Sequence, residues 1–166
     1  MMQARQLCRA DVGIWRDLRS EGVRLFPDDF LPSLNEVETV STEQDMQMIA
    51  QGGRYGVFDG STPMGIAAIR QEVFERARHR AFIGPFYVIP QAQGTGAADL
   101  LIAALVDHAV QAGIWQHELC VAETNTRAIA FYERHGFQRT GHWPNAIVTS
   151  RGPQHDWFYV RELARD

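Results

Sequence analysis

Residues 80–112 constrain the fold most: an apolar run, AFIGPFYVIP, ends at Pro90, a short glycine-containing segment QAQGTGAAD follows, and ADLLIAALVDHAVQAG continues from it. Proline cannot donate to a sheet ladder, so the apolar run reads as a strand that stops at Pro90. Leu101, Leu105, His108 and Ala112 recur at helical spacing, and Gly113 supplies a terminator. The order is strand, glycine loop, helix. A loop holding Gly94 and Gly96 at that junction offers backbone N–H groups at the positive end of a helix dipole, which suits a phosphate-bearing ligand. A tight strand-to-helix turn needs glycine as well, so the loop alone leaves both readings open.

The rest of the chain gives the loop its setting. Residues 2 to 9 suit a short edge strand, and Asp11 is read as the cap of a helix with Trp15, Leu18, Gly22 and Leu25 on one face. FPDDFLPSL ends that helix, and Ser41-x-x-Gln44 has the form of a capping box for another bearing Met46 and Ile49. From Arg54, three runs joined by turns, RYGVFD, MGIAAIRQEVF and AFIGPFYVIP, predict an antiparallel meander. Downstream of the long helix, WQHELCVAE reads as a strand. Asn125 reads as the cap of a helix over 126–135 closed by Gly136, and FQRTGHW and DWFYVREL as two further strands around a polar loop, Pro144 to His155.

Composition narrows the function classes. A chain of 166 residues without a linker or repeat is expected to form one domain over 1–166. Its net charge of -4 leaves no basic excess for a nucleic-acid backbone or an anionic membrane. No run approaches the roughly eighteen apolar residues of a spanning helix, and MMQARQLCRADV lacks the apolar stretch of a secretory signal, so a soluble, cytoplasmic protein is expected. Cys8 and Cys120 are read as buried small hydrophobes. The six histidines show no metal-ligand spacing, so no metal is expected.

Two motifs in order then carry a resemblance. Val88-x-Pro90-x-x-Gln93-Gly94-x-Gly96-x-Ala98, followed by Asn125-x-x-Ala128-x-x-Phe131-Tyr132-Glu133-Arg134-x-Gly136-Phe137, resembles the acyl-CoA-binding core of the GNAT (GCN5-related) N-acetyltransferase superfamily over residues 82 to 143. The resemblance implies an α/β fold of the α+β type: a mixed, mostly antiparallel sheet of about seven strands, splayed between the fourth and fifth, with about four helices. It implies an N-acetyltransferase that uses acetyl-CoA as cosubstrate, without a metal, on an amine-bearing small molecule or peptide. A homodimer is compatible with it.

Residue roles follow from the same resemblance. Gln93, Gly94, Thr95, Gly96, Ala97 and Ala98 would wrap the CoA pyrophosphate with backbone amides. This register is preferred to Gln91–Gly96 by its distance from Pro90, although Thr95 stands where a basic residue is frequent and Ala98 where glycine is. Val88 N–H is the implied oxyanion donor, Asn125 is implied to touch the pantetheine arm besides capping its helix, and Tyr132 is implied to be the general acid that protonates the thiolate. Glu72, on the strand before the acyl-CoA strand, is the first choice for general base, with Tyr87 and Glu123 as alternates. A solvent-facing strand charge is an equally good reading of each carboxylate. His117 is read as exposed at a strand start. The acidic residues Asp28, Asp29, Glu36 and Glu38 suggest a cationic acceptor near the helix–loop–helix segment.

Two rivals are weighed. A dinucleotide-binding fold fails because Asp99 stands at the third glycine position and the upstream meander builds no parallel βαβ unit. A non-catalytic acyl-CoA-binding or sensor domain of the same fold would keep the glycine loop and lose the acid.

Overall fold

The computed structural model describes residues 1–165. Seven strands, β1 (Met2–Gln6), β2 (Arg54–Asp59), β3 (Thr62–Gln71), β4 (Arg80–Val88), β5 (Gln116–Ala122), β6 (Gln138–Thr149) and β7 (Gly152–Glu162), form a mostly antiparallel sheet in the order β1-β2-β3-β4-β5-β7-β6. Five α-helices accompany them: α1 (Val12–Leu25), α2 (Leu34–Thr39), α3 (Thr42–Ala50), α4 (Ala97–Ala112) and α5 (Thr126–Arg134). The chain divides into two compact units, residues 1–70 with 83–112, and residues 71–82 with 113 onward, so β4 contributes to both.

In the first unit β1, β2 and β3 form the expected antiparallel meander, with Met2 opposite Asp59 and Gly56 opposite Ile66. One sheet face and α1 share a core of Leu7, Trp15, Leu18, Ile49, Phe58, Ile66, Ala68 and Tyr87. Gly65 on β3 is required there: a Cβ would lie 2.6 Å from Tyr87 O and 3.2 Å from Val88 Cα, so a larger residue would push β3 off β4. The long helix α4 packs on β1 and β2 and buries Leu101, Ile102, Leu105 and Ala109.

Four expectations in this unit are corrected. The buried face of α1 includes Val23 in place of Leu25, which is 50% exposed. Cys8 is exposed, not buried. The segment between α1 and α3 contains a further helix, α2, started by a second capping box at Ser33 and Glu36. Asp11 occupies the N-cap position of α1 without capping it, because Arg5 competes for its carboxylate. Arg5 Nη1 and Nη2 each donate to Asp11 at 2.8 Å, and Cys8 N–H donates to Asp11 Oδ2 at 2.8 Å. These donors hold the Asp11 carboxyl well below the usual carboxylate range, the Arg5 hydrogen bond contributing most.

The sign follows from that depression: ionised Asp11 stabilises the fold above about pH 4, the unfolded carboxylate's range, and the contribution fades as acid protonates it. Asp11→Asn is expected to cost about 1 to 2 kcal/mol at pH 7, discounted for the 45% exposure of the Arg5 side chain. Urea melts should show that difference shrinking below pH 4. A pH-independent difference would assign the loss to packing.

In the second unit β4 begins parallel to β5, Arg80–Phe82 pairing with Gln116–Glu118, and β5 continues antiparallel to β7. Arg80 Nη1 donates to both oxygens of Glu118, at 2.7 and 3.0 Å, which compensates an otherwise buried carboxylate. The expected loop over 144–155 is instead a hairpin: β6 and β7 pair from Gln138–Val160 to Thr149–Gly152, with an irregularity between Trp143 and Ile147. Pro144 is tolerated because β6 lies at the sheet edge. His117, expected exposed, is fully buried, and its Nδ1 accepts from Arg161 Nη2 at 3.0 Å.

Candidate active site

The first unit carries the glycine loop. After β4 a single 3-10 turn, Pro90–Ala92, leads into Gln93–Gly96, and α4 starts at Ala97. Gly94 has φ +77° and Gly96 φ +94°, and a Cβ at either would meet nothing within 4 Å. Positive φ explains the glycines, and the open space beyond them leaves the loop accessible to a ligand. The first-turn N–H groups of a helix have no intrahelical acceptors, so the start of α4 presents donors and a partial positive charge. Thr95 Oγ1 turns inward and donates to Ala92 O, while Gln93 Nε2 donates to Val88 O at 3.3 Å, tying the loop back to the end of β4.

Val88 itself is 8% exposed, so its side chain anchors the strand. The next residue, Ile89, donates its N–H to Met64 O of β3 at 3.0 Å. Successive N–H groups of extended chain point in opposite directions, so Val88 N–H is turned away from β3. Tyr87, one of the alternate bases, donates its hydroxyl to Glu21 Oε1 at 2.6 Å and packs against Phe26 and Phe30. Burial, reinforced by Glu21, raises its pKa well above the ordinary phenol value, which makes a phenolate base unfavourable.

The second unit carries Asn125, Tyr132, Glu72 and Glu123. Asn125 Oδ1 accepts from Ala128 N–H at 3.2 Å, so the cap of α5 forms as expected. Two turns beyond that cap, Tyr132 faces inward, 9% exposed, with Phe131 and Phe137 at ring-centroid distances of 5.3 and 5.5 Å. Burial raises its phenol pKa well above the ordinary value, so the hydroxyl remains a proton donor throughout the neutral range. Glu72 lies just beyond the end of β3 rather than on it; its N–H donates to Arg80 O at 3.0 Å and it is half-buried. Glu123 Oε2 lies 3.3 Å from His142 Nε2.

Asp156, which the sequence reading passes over, has a further claim. It stands opposite Ala122 on β7, its Oδ1 is buried without a hydrogen-bond partner among the described residues, and burial raises its pKa, with Glu123 adding to the rise. A carboxylate at the start of an apolar run was the available signal. Cys120, half-buried, has its thiol pushed up to about 11, mainly by burial, and so is a poor nucleophile at neutral pH. Among the described residues no three His, Cys, Asp or Glu side chains form a group able to hold a metal ion, and no helix is long and apolar enough to cross a membrane.

Comparison with known proteins places this geometry. The model of the acetyltransferase (GNAT) family matches residues 15–137. No curated protein is a significant match to the sequence. Among solved structures, a GNAT-family acetyltransferase from Streptococcus pneumoniae superposes with a TM-score of 0.85 at 14% identity, covering 99% of this chain and 100% of its own. YncA of Salmonella typhimurium, solved with its cofactor acetyl-CoA, gives 0.84 at 19% identity over 99% and 95%. A ribosomal-protein-alanine N-acetyltransferase from Brucella melitensis gives 0.82 at 18% identity over 96% and 99%. At these identities the structural likeness establishes the fold.

Proposed function

Because the chain belongs to the GNAT acetyltransferase family, matched over residues 15–137, we propose that it moves an acetyl group from acetyl-CoA to a primary amine by direct attack in a ternary complex. The observation that carries this reading is the open glycine loop at the start of α4, with Gly94 and Gly96 at positive φ and free space beyond both. Backbone amides of residues 93–98 bind the pyrophosphate, and Asn125 meets the pantetheine arm. Acetyl-CoA bound to YncA, a protein of the same fold, supports that choice of cosubstrate.

The chemistry needs a neutral amine, a stabilised oxyanion and a proton for the thiolate. Val88 N–H, turned away from β3, stabilises the oxyanion. Tyr132 gives its proton to the departing sulfur, and its raised pKa keeps that proton available. The weakly acidic thiol of Cys120 favours direct attack by the amine over an acyl-cysteine route. The reaction needs no metal, and a cytoplasmic location suits a supply of acetyl-CoA.

Glu72 takes the proton from the ammonium, directly or through water, and Asp156 is the competing carboxylate because its burial favours the protonated form after transfer. With an amine of pKa near 10, Glu72→Gln should depress turnover most at neutral pH and recover as rising pH supplies free amine. Thiol-release rates from pH 6.5 to 9.5 on one amine acceptor test this. An equal loss at every pH would assign Glu72 to acceptor binding, and the same recovering profile in Asp156→Asn alone would move the role to Asp156.

A further inference from the structure

Beside α1 in the first unit lies a cleft of about 250 Å³, lined in part by Trp15, Arg16, Arg19, Val37, Met48 and Pro85. The carboxylates around it are already engaged. Asp45 accepts from Arg16 Nη1 at 2.6 Å, Glu36 accepts from Ser33 N–H at 2.8 Å, and Glu38 pairs with Arg24 at 3.6 Å. Arg19 is different: its half-buried side chain lines the cleft, and its Nη1, on the inner side, has no hydrogen-bond partner among the described residues. Its guanidinium lies 5.4 Å from the centre of the Phe30 ring. Burial pulls its pKa down, and the charge of Asp45 makes up only part of that loss.

A desolvated guanidinium without a full complement of acceptors is costly, and a carboxylate matches its planar fork better than any neutral group does. Trp15, Val37 and Met48 give the cleft apolar walls, and its volume suits a small molecule rather than a folded chain. Pro85 lies on the same strand as Val88, three residues before it, so the cleft shares an element with the proposed oxyanion donor. We propose that Arg19 receives the carboxylate of the acceptor, which is therefore a free amino acid with an apolar side chain. Of the acidic residues read from the sequence as a lure for a cationic amine, Glu36 and Glu38 are instead occupied by their own partners. This assignment rests on the amine-acetylating reading above.

The test compares L-leucine with L-leucinamide, which share the amine and side chain and differ in the carboxylate. Calorimetric titration of the CoA-saturated protein should show L-leucine binding about tenfold to a hundredfold more tightly, the range of a charge-assisted pair. Arg19→Gln should remove the preference and Arg19→Lys should restore part of it. Equal binding of the two by the wild type, binding of neither, or a preference that survives Arg19→Gln in a folded variant would overturn the proposal. The wild-type comparison needs no variant, so misfolding cannot mask the answer. Thiol release with L-leucinamide and no preference would sink the carboxylate subsite and leave the acetyltransferase reading standing. A clear preference for L-leucine in a protein that releases no thiol with any amine would uphold the subsite and sink that reading.

Discussion

Glutamate in place of Gly96 is expected to abolish acetyl-CoA binding. The new side chain would project from the loop into space that contains nothing within 4 Å, the space assigned to the pyrophosphate. Like charges brought together there cost several kcal/mol, so affinity should fall by about a hundredfold or more. The φ of +94° adds strain of about 1 to 2 kcal/mol for any L residue. Gly113→Glu supplies the matched control: φ there is +73°, the surroundings are equally open, and the position lies just past the other end of α4. Calorimetry should find the control binding acetyl-CoA as the wild type does. Equal affinities for Gly96→Glu and wild type would remove the loop from the phosphate site.

Tyr132→Phe should lower turnover by about 10²- to 10⁴-fold while acetyl-CoA affinity changes little. Phenylalanine keeps the ring between Phe131 and Phe137 and removes the one atom of the side chain that can protonate a thiolate. Because burial raises the phenol's pKa, the wild-type acid stays protonated at neutral pH, and the loss should be nearly constant between pH 6 and 8. Single-turnover thiol release on one acceptor separates this from a binding defect. Wild-type turnover in a folded variant would assign Tyr132 to packing.

The elements legible in the sequence are those governed by local rules. Pro90, Gly96 and Gly113 bracket α4, and Asn125 and Gly136 bracket α5, because a missing donor, a side-chain acceptor or a positive φ is decided within a few residues. The mixed, mostly antiparallel sheet of about seven strands came with the family resemblance, whereas its order, with β7 between β5 and β6, and the parallel β4–β5 pair came from the structure. Features decided by distant partners were not legible. Asp11 looks like a cap until Arg5 on β1 takes its carboxylate, and His117 looks exposed until β7 brings Arg161 beside it. The six residues of α2 are too few to show a period, although Ser33 and Glu36 spell its capping box. The hairpin of β6 and β7 hides behind Pro144, Asn145 and Gly152, residues that mark loops elsewhere but here serve an edge strand and its irregularities.

Of the candidate site, the glycine loop and the capping asparagine were readable because positive φ and a side-chain cap are decided within a few residues. The burial of Tyr132 and the buried, unpartnered oxygen of Asp156 required the fold: a tyrosine in an apolar stripe and a carboxylate ahead of an apolar run are visible in the sequence, but their burial is set by the elements packed around them. The same holds for Arg19: its residue type suggests a solvated helix face, and only the packing of α1 reveals a guanidinium nitrogen closed off from water.

Transfer of a labelled acetyl group is the most direct test of the central claim. The protein is incubated with acetyl-CoA carrying isotopic label in the acetyl carbons, together with a panel of primary amines, and the products are followed by mass spectrometry. Label is expected on the nitrogen of at least one amine, one equivalent for each CoA released. Acetyl-CoA that binds at the loop and is recovered intact with every amine in the panel would contradict it, and would make the chain an acyl-CoA-binding domain rather than an enzyme.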